Sequence, residues 1–600
     1  DDLREYNMMV DYMADYLENI RDRRVYPDVQ PGYLHEVLPK EAPHSPEKWD
    51  DIFKDVEEHI MPGLVHWQSP HMHAYFPALT SYPSIMGDML SCAMNVHCFT
   101  WASSPAGTEL ETISMNWLGK LLGLPDCFLN EKNDSRGGGV IQTTASEATL
   151  VSLLAARTKA LVELSKLNPD VEAAELLGYL ICYCSDQAHS SVEKAGLVGL
   201  VRMRYIESDE NQSMRGDKLE EAIAMDKEKG LVPFWVCATL GTTGSAAFDN
   251  LREVGAVCGK HGAWLHVDAA YAGTAFICPE YRHWLDGVEL ADSFAFNPSK
   301  WLMVNFDCTA MWVTDSTALH RTFNHWQIPL SRRFRALKLW FVLRNYGVIG
   351  LQKHIREGVR LAQKFEALVI ADPRFEVPQA RNLGLVVFRL KGDNTLTERL
   401  LKKLNARGNI HAVPACFKGT YVIRFTVTSP KTTNQDILDD WNEIKLVASE
   451  ILVDVFETRE LNATFGTSLL LANSPMSPKI VNGTHAAICD YEQVLTSCAQ
   501  SFAQLKMEPK DSPEMRRRIR GMKMCGKKFS LDSCMDMVQV KQSSDGQVGR
   551  TLASVTRNAG SNPSSHLWDF WISCGFHLIF NQDYHLLNGE GKHRDETCMS

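Results

Sequence analysis

Apolar residues recur at every third or fourth position at the start of the chain. They are Leu3, Tyr6, Met9, Met13, Tyr16, Leu17 and Ile20. This spacing places them on one face of an amphipathic helix. The prolines that follow, at positions 27, 31, 39 and 43, favour extended backbone over helix. Because such a segment has no core of its own, we expect residues 1–80 to form an N-terminal helical arm that packs on other structure, such as a second subunit.

Short strand-like runs alternate with helical stretches over residues 81–370. The runs lie at 179–183, 233–237, 264–267, 293–296 and 309–313. They are rich in β-branched and aromatic residues, and this alternation is typical of an α/β fold whose sheet is mainly parallel. We therefore predict one large α/β domain over this range.

The hydrophobic pattern changes twice after residue 370. Strand-like runs at 383–390 and 421–428, followed by a helical pattern at 434–456, predict a smaller α+β domain over residues 371–456. From residue 457 to residue 600, Ser, Asn, Gln and Met become more frequent and periodicity fades, which predicts a disordered tail. Its longest apolar stretch is too short to span a bilayer, so we expect no membrane insertion.

Composition and charge narrow the range of functions. The chain is 45% hydrophobic and 22% charged, which is ordinary for a globular protein. Lys and Arg total 62 against 73 Asp and Glu, and the net charge of -11 disfavours nucleic-acid binding. Sixteen scattered cysteines include no CxxC pair, which disfavours disulfide-rich, zinc-ribbon and thioredoxin-like proteins. We infer a reducing compartment and expect a cytoplasmic protein.

Two local patterns have structural explanations. Cys182 and Cys184 lie in an apolar strand-like run, which favours core packing over reactivity. His66, His71 and His73 lie close together, but no cysteine or carboxylate spacing around them matches a metal site. We therefore expect no bound metal.

A glycine-rich segment at 137–149 precedes a helical stretch. Thr144 and Glu147 have the spacing of a capping box, which marks the start of a helix. Free N–H groups at that start suit an anion such as a phosphate, although a plain capped helix explains the pattern equally well. No GxxxxGK[ST] motif is present, so a nucleoside triphosphatase is disfavoured.

Three polar residues follow other predicted strands, where α/β proteins place their ligands. Asp268 is either a helix cap or a carboxylate that pairs with a protonated ring nitrogen. Lys300 is either a surface lysine or a partly buried amine that forms an imine with an aldehyde. His189 is either a core histidine or an imidazole that stacks on a ring. Taken with the anion-binding helix start, these groups match the phosphate, the ring nitrogen and the aldehyde of pyridoxal 5′-phosphate.

Longer motifs carry a resemblance to a known family. They are NPSKW at 297–301, HVDAAYAGTAF at 266–276, SDQAHSSVEKAG at 185–196, ATLGTTG at 238–244 and VHWQSPHMHAYFPALTS at 65–81. With them, residues 1–455 resemble the group II pyridoxal-phosphate decarboxylases of aromatic amino acids. The resemblance implies a type I aminotransferase-like fold, and pyridoxal 5′-phosphate as cofactor. It also implies a homodimer in which the N-terminal arm wraps the partner.

The same resemblance implies roles for individual residues. Lys300 would bind the cofactor aldehyde, Asp268 would pair with the ring nitrogen, and His189 would stack on the ring. Further cofactor contacts would be Ala145, Ser146, Thr243, Ala270 and Asn297. The substrate wall would be Tyr75, Phe76 and Ala78, with Trp67, Phe99 and Trp101 in the same neighbourhood.

Two serines bear on the choice of substrate. Ser299 and Ser331 stand where family members that act on dopa typically have His and Gly. A serine suits a small polar imidazole and crowds a catechol. We therefore expect decarboxylation of L-histidine to histamine and CO₂, with dopa and 5-hydroxytryptophan as the alternative substrates. Phe76 departs from this expectation, since mammalian members that act on histidine have Tyr there.

A catalytic loop of the family is missing from this chain. In the family a mobile loop before the HWQIPL segment supplies a tyrosine for the final protonation, and this chain is shorter there by roughly 18 residues. No tyrosine occurs between Lys300 and His325, and the gap falls after Phe323. We therefore expect cofactor binding with impaired decarboxylation. A chain without this tyrosine could also be an aldehyde synthase that uses O₂, or an inactive dimer partner.

Overall fold

The computed structural model describes residues 2–464, and side chains are described up to residue 454. The predicted tail, residues 457–600, therefore lies almost wholly outside the described residues. The α-helices are α1 (Asp2–Glu18), α2 (Tyr33–Val37), α3 (Trp49–Asp55), α4 (Tyr82–Met94), α5 (Pro105–Leu122), α6 (Ala145–Leu167), α7 (Ala173–Leu177), α8 (Ser190–Val198), α9 (Gly216–Glu228), α10 (Leu251–His261), α11 (Pro298–Trp301), α12 (Thr317–Phe323), α13 (Ala336–Ala371), α14 (Asn394–Arg407) and α15 (Asn434–Thr464).

Two sheets are described. The strands of the large sheet are β1 (Gly138–Gln142), β2 (Leu180–Ser185), β3 (Arg202–Ile206), β4 (Val232–Thr239), β5 (Trp264–Asp268), β6 (Ser293–Phe296) and β7 (Thr309–Val313). The strands of the small sheet are β8 (Phe375–Glu376), β9 (Leu385–Leu390), β10 (Val413–Phe417) and β11 (Thr420–Thr426).

The large sheet is mainly parallel. Its strand order is β1-β7-β6-β5-β4-β2-β3, and only β7 runs against its neighbours. Both faces are covered by helices, so the strands are apolar on both sides. Val236, Leu265 and Phe294 belong to one core cluster, while Cys182 and Trp264 belong to the cluster on the opposite face. The predicted α/β fold and the core position of Cys182 are confirmed.

The small sheet is antiparallel and has its own core. Its order is β10-β11-β9-β8, and its apolar side chains pack against α13, α14 and α15. The long helix α13 connects the two cores, with Leu339 in the large one and Phe365 in the small one. Gly347 interrupts its helical backbone at φ 58°, which bends the helix between the two parts. The exact domain boundaries remain predictions.

The N-terminal segment packs on the small domain of its own chain. The Arg21 guanidinium donates to the Asp436 carboxylate of α15 at 3.0 and 2.9 Å. The Val25 N–H donates to the Gly408 carbonyl at 2.9 Å. The outer half of α1 stays exposed, with Leu3 75% and Tyr6 55% accessible. That outer half is therefore free to contact other structure.

Three structural findings concern the described residues only. No helix among them is long and apolar enough to cross a membrane. No group of their His, Cys, Asp and Glu side chains has the arrangement of a metal site. Their ten cysteines, from Cys92 to Cys416, are all free thiols.

Candidate active site

The candidate site lies at one edge of the large sheet. β1, β2, β4, β5 and β6 share one direction, so their carboxyl ends meet at that edge. The residues at or just after those ends include Thr144, His189, Gly241, Asp268 and Lys300. The topology thus gathers residues that are spread over more than 150 positions in the sequence.

Lys300 follows β6 within the short helix α11. Its N–H donates to the Asn297 carbonyl at 3.0 Å, and its Nζ lies 5.4 Å from the centre of the Phe76 ring. Burial lowers the pKa of Lys300 to about 8; the nearby Asp268 carboxylate opposes this shift and the Arg424 cation adds to it. A snorkelling surface lysine is therefore excluded, because the amine lies in the interior.

Asp268 ends β5 and is 4% exposed. Its Oδ1 accepts the Ala270 N–H at 2.9 Å, while no described residue donates a hydrogen bond to Oδ2. The interpretation of Asp268 as a helix cap is wrong, since the next helical turn starts at Ala272 and is preceded by Tyr271. The carboxylate is thus held by its own turn, with one oxygen left for a ligand.

His189 caps the start of α8. Its Nδ1 accepts the Ser191 N–H at 3.1 Å, so the ring hydrogen of the neutral imidazole is on Nε2. Burial and the Lys300 cation lower the pKa of His189, while Asp268 opposes the shift. The ring is therefore neutral and fixed in direction, and these mutual influences place Lys300, Asp268 and His189 in one cluster.

The predicted helix start is the start of α6, which follows β1. Thr144 Oγ1 accepts the Glu147 N–H at 3.1 Å, which is half of a capping box. The other half differs, because the Glu147 carboxylate accepts the N–H of Thr143 at 2.9 Å rather than that of Thr144. Ala145 and Ser146 form the first turn of α6, where backbone N–H groups have no helical carbonyl to bind.

The other predicted cofactor contacts lie at the same sheet edge. Ala270 follows β5 and is bonded to Asp268, as described above. Asn297 follows β6, and its Oδ1 accepts the Thr309 hydroxyl at 2.8 Å. Thr243 lies in the turn after β4 and is partly exposed. All three are thus placed beside the strand ends, and their roles remain predictions.

The predicted substrate wall is an aromatic stack. Phe76 lies on the Tyr271 ring at a centroid distance of 3.8 Å and an angle of 10°. Tyr271 in turn stacks on Trp301 at 5.1 Å. Tyr75, in left-handed backbone at φ 59°, stacks on Trp67 at 5.5 Å. Ala78 continues this segment, and its carbonyl accepts the Gln68 amide at 2.6 Å.

Arg424 of β11 is a residue that the sequence reasoning missed. It is 3% exposed, and its guanidinium carbon lies 5.1 Å from the centre of the Phe76 ring. Its Nε and Nη2 have no hydrogen-bond partner among the described residues. Burial lowers the pKa of Arg424 to about 10. A buried cation without a carboxylate is costly, which indicates an anionic ligand.

Three predicted neighbours of the site are not brought to it by any described contact. Ser331 is exposed, and the adjacent Arg332 pairs with Glu111 at 2.7 Å. The Phe99 carbonyl accepts a hydrogen bond from His325 at 2.7 Å, and Trp101 is 60% exposed. These residues share a separate surface, whereas Ser299 of α11 is buried and its carbonyl accepts the Leu79 N–H at 3.0 Å.

The residues at the sheet edge fit pyridoxal 5′-phosphate. A buried amine of lowered pKa suits the aldehyde, and the free oxygen of Asp268 suits a protonated ring nitrogen. The first turn of α6 offers N–H groups to a phosphate. Each chemical handle of the cofactor thus has a matching group.

Comparison with known proteins gives consistent matches. Residues 31–391 match the pyridoxal-dependent decarboxylase conserved domain. Histidine decarboxylase of Drosophila melanogaster is 61% identical over 94% of this chain and 70% of its own length. Histidine decarboxylase of Homo sapiens is 57% identical over 74% of this chain and 70% of its own length. Aromatic-L-amino-acid decarboxylase of Cavia porcellus is 54% identical over 74% of this chain and 96% of its own length.

The alignment lengths bear on the missing loop. The match to the human enzyme runs over 462 positions, which is more than 74% of a 600-residue chain. That alignment therefore includes positions that this chain lacks.

Solved structures agree with the sequence matches. Oryza sativa TDC with PLP has a TM-score of 0.72 and 39% identity, over 75% of this chain and 98% of that one. Rhodiola rosea 4-hydroxyphenylacetaldehyde synthase has a TM-score of 0.71 and 39% identity, over 75% and 98%. The predicted fold is confirmed. The chain belongs to the family of pyridoxal-dependent decarboxylases, with pyridoxal 5′-phosphate as its cofactor.

Proposed function

We propose that this protein decarboxylates L-histidine to histamine and CO₂. One observation carries the proposal: Lys300 and the buried Arg424 lie 5.4 and 5.1 Å from the centre of the Phe76 ring, and Asp268 and His189 lie within electrostatic reach of the Lys300 amine. The similarity to histidine decarboxylases at 61% and 57% identity supports histidine as the amino acid. The buried Ser299 lies next to Lys300 in the chain, and a serine there suits a small polar imidazole better than a catechol.

The chain's own residues prepare the amine and the proton positions. When bound, pyridoxal phosphate supplies an electron sink for the bond that breaks at Cα. Lys300, with a pKa of about 8, presents more neutral amine near neutral pH than an ordinary lysine does. The Asp268 carboxylate would favour a proton on the cofactor's ring nitrogen through its negative charge. His189 would stack on the cofactor ring, and its Nε2–H is directed by the hydrogen bond that Nδ1 accepts from Ser191.

Arg424 and Phe76 select the orientation of the amino acid. The unpartnered guanidinium nitrogens of Arg424 attract the carboxylate of the entering amino acid. Arg424 and Lys300 both lie beside Phe76, with the two cations 5.1 and 5.4 Å from its ring centre. The amino and carboxylate ends are thus received by different groups, which fixes the direction of the side chain.

The shortened segment after β7 limits the rate. α12 ends at Phe323, Asn324 adopts left-handed backbone at φ 53°, and His325 is already bonded to the Phe99 carbonyl. A segment tied down this closely has no length to cover the site, so water reaches it. With no tyrosine between Lys300 and His325, the final protonation at Cα lacks its donor. We infer slow turnover.

We also propose that the protein is a cytoplasmic homodimer. Helices α1 and α4 expose apolar side chains, including Leu3, Tyr6, Met86 and Leu90. A groove of about 430 Å³ lies between them and is lined mainly by Tyr6, Ile85, Met89 and Ala93. An apolar surface of this kind favours a protein partner. Ser331 and Trp101 are exposed, which allows them to serve the site of the other copy.

A second candidate function rests on the absent tyrosine. Without a proton donor, O₂ and water convert the amino acid to an aldehyde, CO₂, ammonia and hydrogen peroxide. The similarity to the Rhodiola rosea aldehyde synthase at 39% identity supports this alternative. Decarboxylation of dopa or 5-hydroxytryptophan is supported by the 54% identity to aromatic-L-amino-acid decarboxylase.

One assay separates these functions. The cofactor-loaded protein is incubated with L-histidine, dopa and 5-hydroxytryptophan in parallel, and amine, aldehyde, CO₂ and peroxide are all measured. We expect histamine and CO₂ from histidine, at a rate well below that of a loop-bearing relative. Peroxide and aldehyde in amounts equal to CO₂ would favour the synthase. Faster turnover of dopa than of histidine would overturn the proposed substrate.

A further inference from the structure

A buried cluster links the substrate wall to the small domain. Its members are His71, His73 and Asp440, of which Asp440 is 2% exposed and belongs to α15. His71 Nδ1 lies 2.7 Å from Asp440 Oδ1, and His73 Nε2 lies 2.9 Å from Oδ2. One carboxylate therefore receives two imidazoles from the segment that precedes Tyr75 and Phe76.

His73 is held from three directions. Its Nδ1 donates to the Thr426 carbonyl at 2.9 Å, while its Nε2 faces the Asp440 carboxylate. The ring also stacks on Phe425 at a centroid distance of 3.7 Å and an angle of 18°. Few rotations of this side chain remain possible.

The strand that receives His73 also carries the site cation. Phe425 and Thr426 contact the cluster, and their neighbour Arg424 lies 5.1 Å from the centre of the Phe76 ring. The Thr426 hydroxyl donates to the Tyr75 carbonyl at 2.9 Å, which ties the same strand to the substrate wall. The cluster thus fixes the distance between the wall and Arg424.

We propose that His73 and Asp440 are positioning residues that hold Phe76 and Arg424 in the geometry that binds the amino acid. They touch neither substrate nor cofactor, and act through the strand and the wall segment. This inference rests on the proposed function, because it takes the Phe76 and Arg424 region as the amino-acid site. It assigns amino-acid affinity to the small domain, while cofactor affinity belongs to the large sheet.

Three variants of the cofactor-loaded protein test the proposal. His73→Phe keeps the stack on Phe425 and removes both hydrogen bonds. Asp440→Asn removes the charge and keeps the size. The matched control is Asp226→Asn, since Asp226 of α9 is 1% exposed, pairs with Arg204 and accepts the Tyr183 hydroxyl at 3.3 Å, away from the site.

The measurements separate positioning from general stability. They are the dissociation constant of L-histidine from the change in cofactor absorbance, the affinity for pyridoxal phosphate, the urea midpoint and hydrogen exchange in residues 71–79. For His73→Phe and Asp440→Asn we expect about tenfold weaker histidine binding and faster exchange in residues 71–79. Cofactor affinity should change by less than about twofold. Asp226→Asn should lower the urea midpoint and leave histidine binding unchanged.

Two results would overturn the proposal. The first is a loss of histidine affinity that is proportional to the fall in urea midpoint in all three variants, because a purely structural cluster would behave in this way. The second is unchanged exchange and unchanged amino-acid binding in both cluster variants. If the parent protein responds to dopa and not to histidine, the proposed substrate is wrong, and the same comparison made with dopa still decides the role of His73 and Asp440.

Discussion

The edge of the large sheet has the residues that the family uses to bind the cofactor, whereas the segment after β7 lacks the family's catalytic loop. At the sheet edge, Lys300, Asp268 and His189 are buried or half-buried, and backbone hydrogen bonds fix each of them. In the segment from 317 to 335, α12 ends at Phe323 and the chain passes at once into residues bonded to the Phe99 and Cys98 loop. One region is complete, and the other lacks both a lid and a tyrosine.

This difference means that cofactor binding and turnover depend on separate parts of the chain. The groups that fit the cofactor come from strand ends whose positions are set by the core. The group that completes the reaction comes, in the family, from a loop that makes no part of that core. A loop of this kind is lost without loss of the fold, since surface connections tolerate changes in length.

The largest expected effect tests the complete region. Lys300→Ala removes the amine that binds the cofactor aldehyde, so the visible absorbance of lysine-bound cofactor should disappear. Amino-acid turnover should fall by at least roughly 10³-fold. Lys338→Met is the matched control, because Lys338 is 1% exposed and donates to the Phe306 carbonyl at 2.7 Å. Lys338→Met should keep the absorbance of lysine-bound cofactor. If Lys338→Met lost this absorbance and Lys300→Ala kept it, the assignment of Lys300 would be contradicted.

The next effect tests the incomplete region. Insertion of the corresponding loop from the Drosophila melanogaster histidine decarboxylase between Phe323 and Asn324 should raise histamine production by about 10²- to 10⁴-fold. The same insert with its tyrosine changed to Phe should exclude water without restoring the rate. Cofactor absorbance should stay the same in all three proteins. A parent protein that already matches the relative's rate would show that the loop is dispensable.

Local patterns in the sequence were sufficient to predict much of the sheet edge. The predicted strand runs at 293–296 and 309–313 have the same bounds as β6 and β7. Both strands are buried, and their burial is visible in the sequence as short runs of apolar residues. β3 was missed since Arg202 and Arg204 interrupt its apolar pattern at the edge of the sheet. β10 was missed because it contains Pro414, which argues against a strand.

Contacts between distant segments were not predictable in this way. His73 and Asp440 are 367 positions apart, and although His73 lies in the motif at 65–81, nothing in that motif indicates a partner near residue 440. The local pattern predicts that Arg424 lies in a strand, but it does not predict what the side chain contacts. An arginine in an apolar run does indicate a buried charge, which needs a partner. The near-complete burial of Arg424 and its unpartnered nitrogens are visible only once β11 is folded beside Phe76.

A smaller effect tests whether amino-acid binding depends on the small domain. Arg424→Met removes the cation that attracts the carboxylate, so KM for histidine should rise about tenfold while cofactor absorbance is retained. Because Arg424 helps to lower the pKa of Lys300, that pKa should also rise. Arg389→Met is the control, as Arg389 is 8% exposed on the neighbouring strand and pairs with Glu376 at 3.5 Å. An equal rise in KM for both variants would contradict a specific role for Arg424.

The last effect concerns the pH dependence of stability, which should be independent of the segment after β7. Burial lowers the pKa values of His266, His354 and His411 to about 4. These histidines bind protons in the unfolded chain below pH ~6.5 and in the folded chain only near pH 4. The unfolded state therefore binds more of these protons between those values, and each histidine should lower the free energy of unfolding by about 3 kcal/mol as the pH drops through that range. Asp249, whose pKa is raised to about 7 by burial, offsets part of this fall because it binds its proton more readily in the folded state. Urea unfolding of the apoprotein from pH 4 to 7.5 measures this slope. The slope should be equal with and without the inserted loop, because none of the three histidines lies between residues 317 and 335; a slope that changed with the insert would show that the loop and the core are coupled.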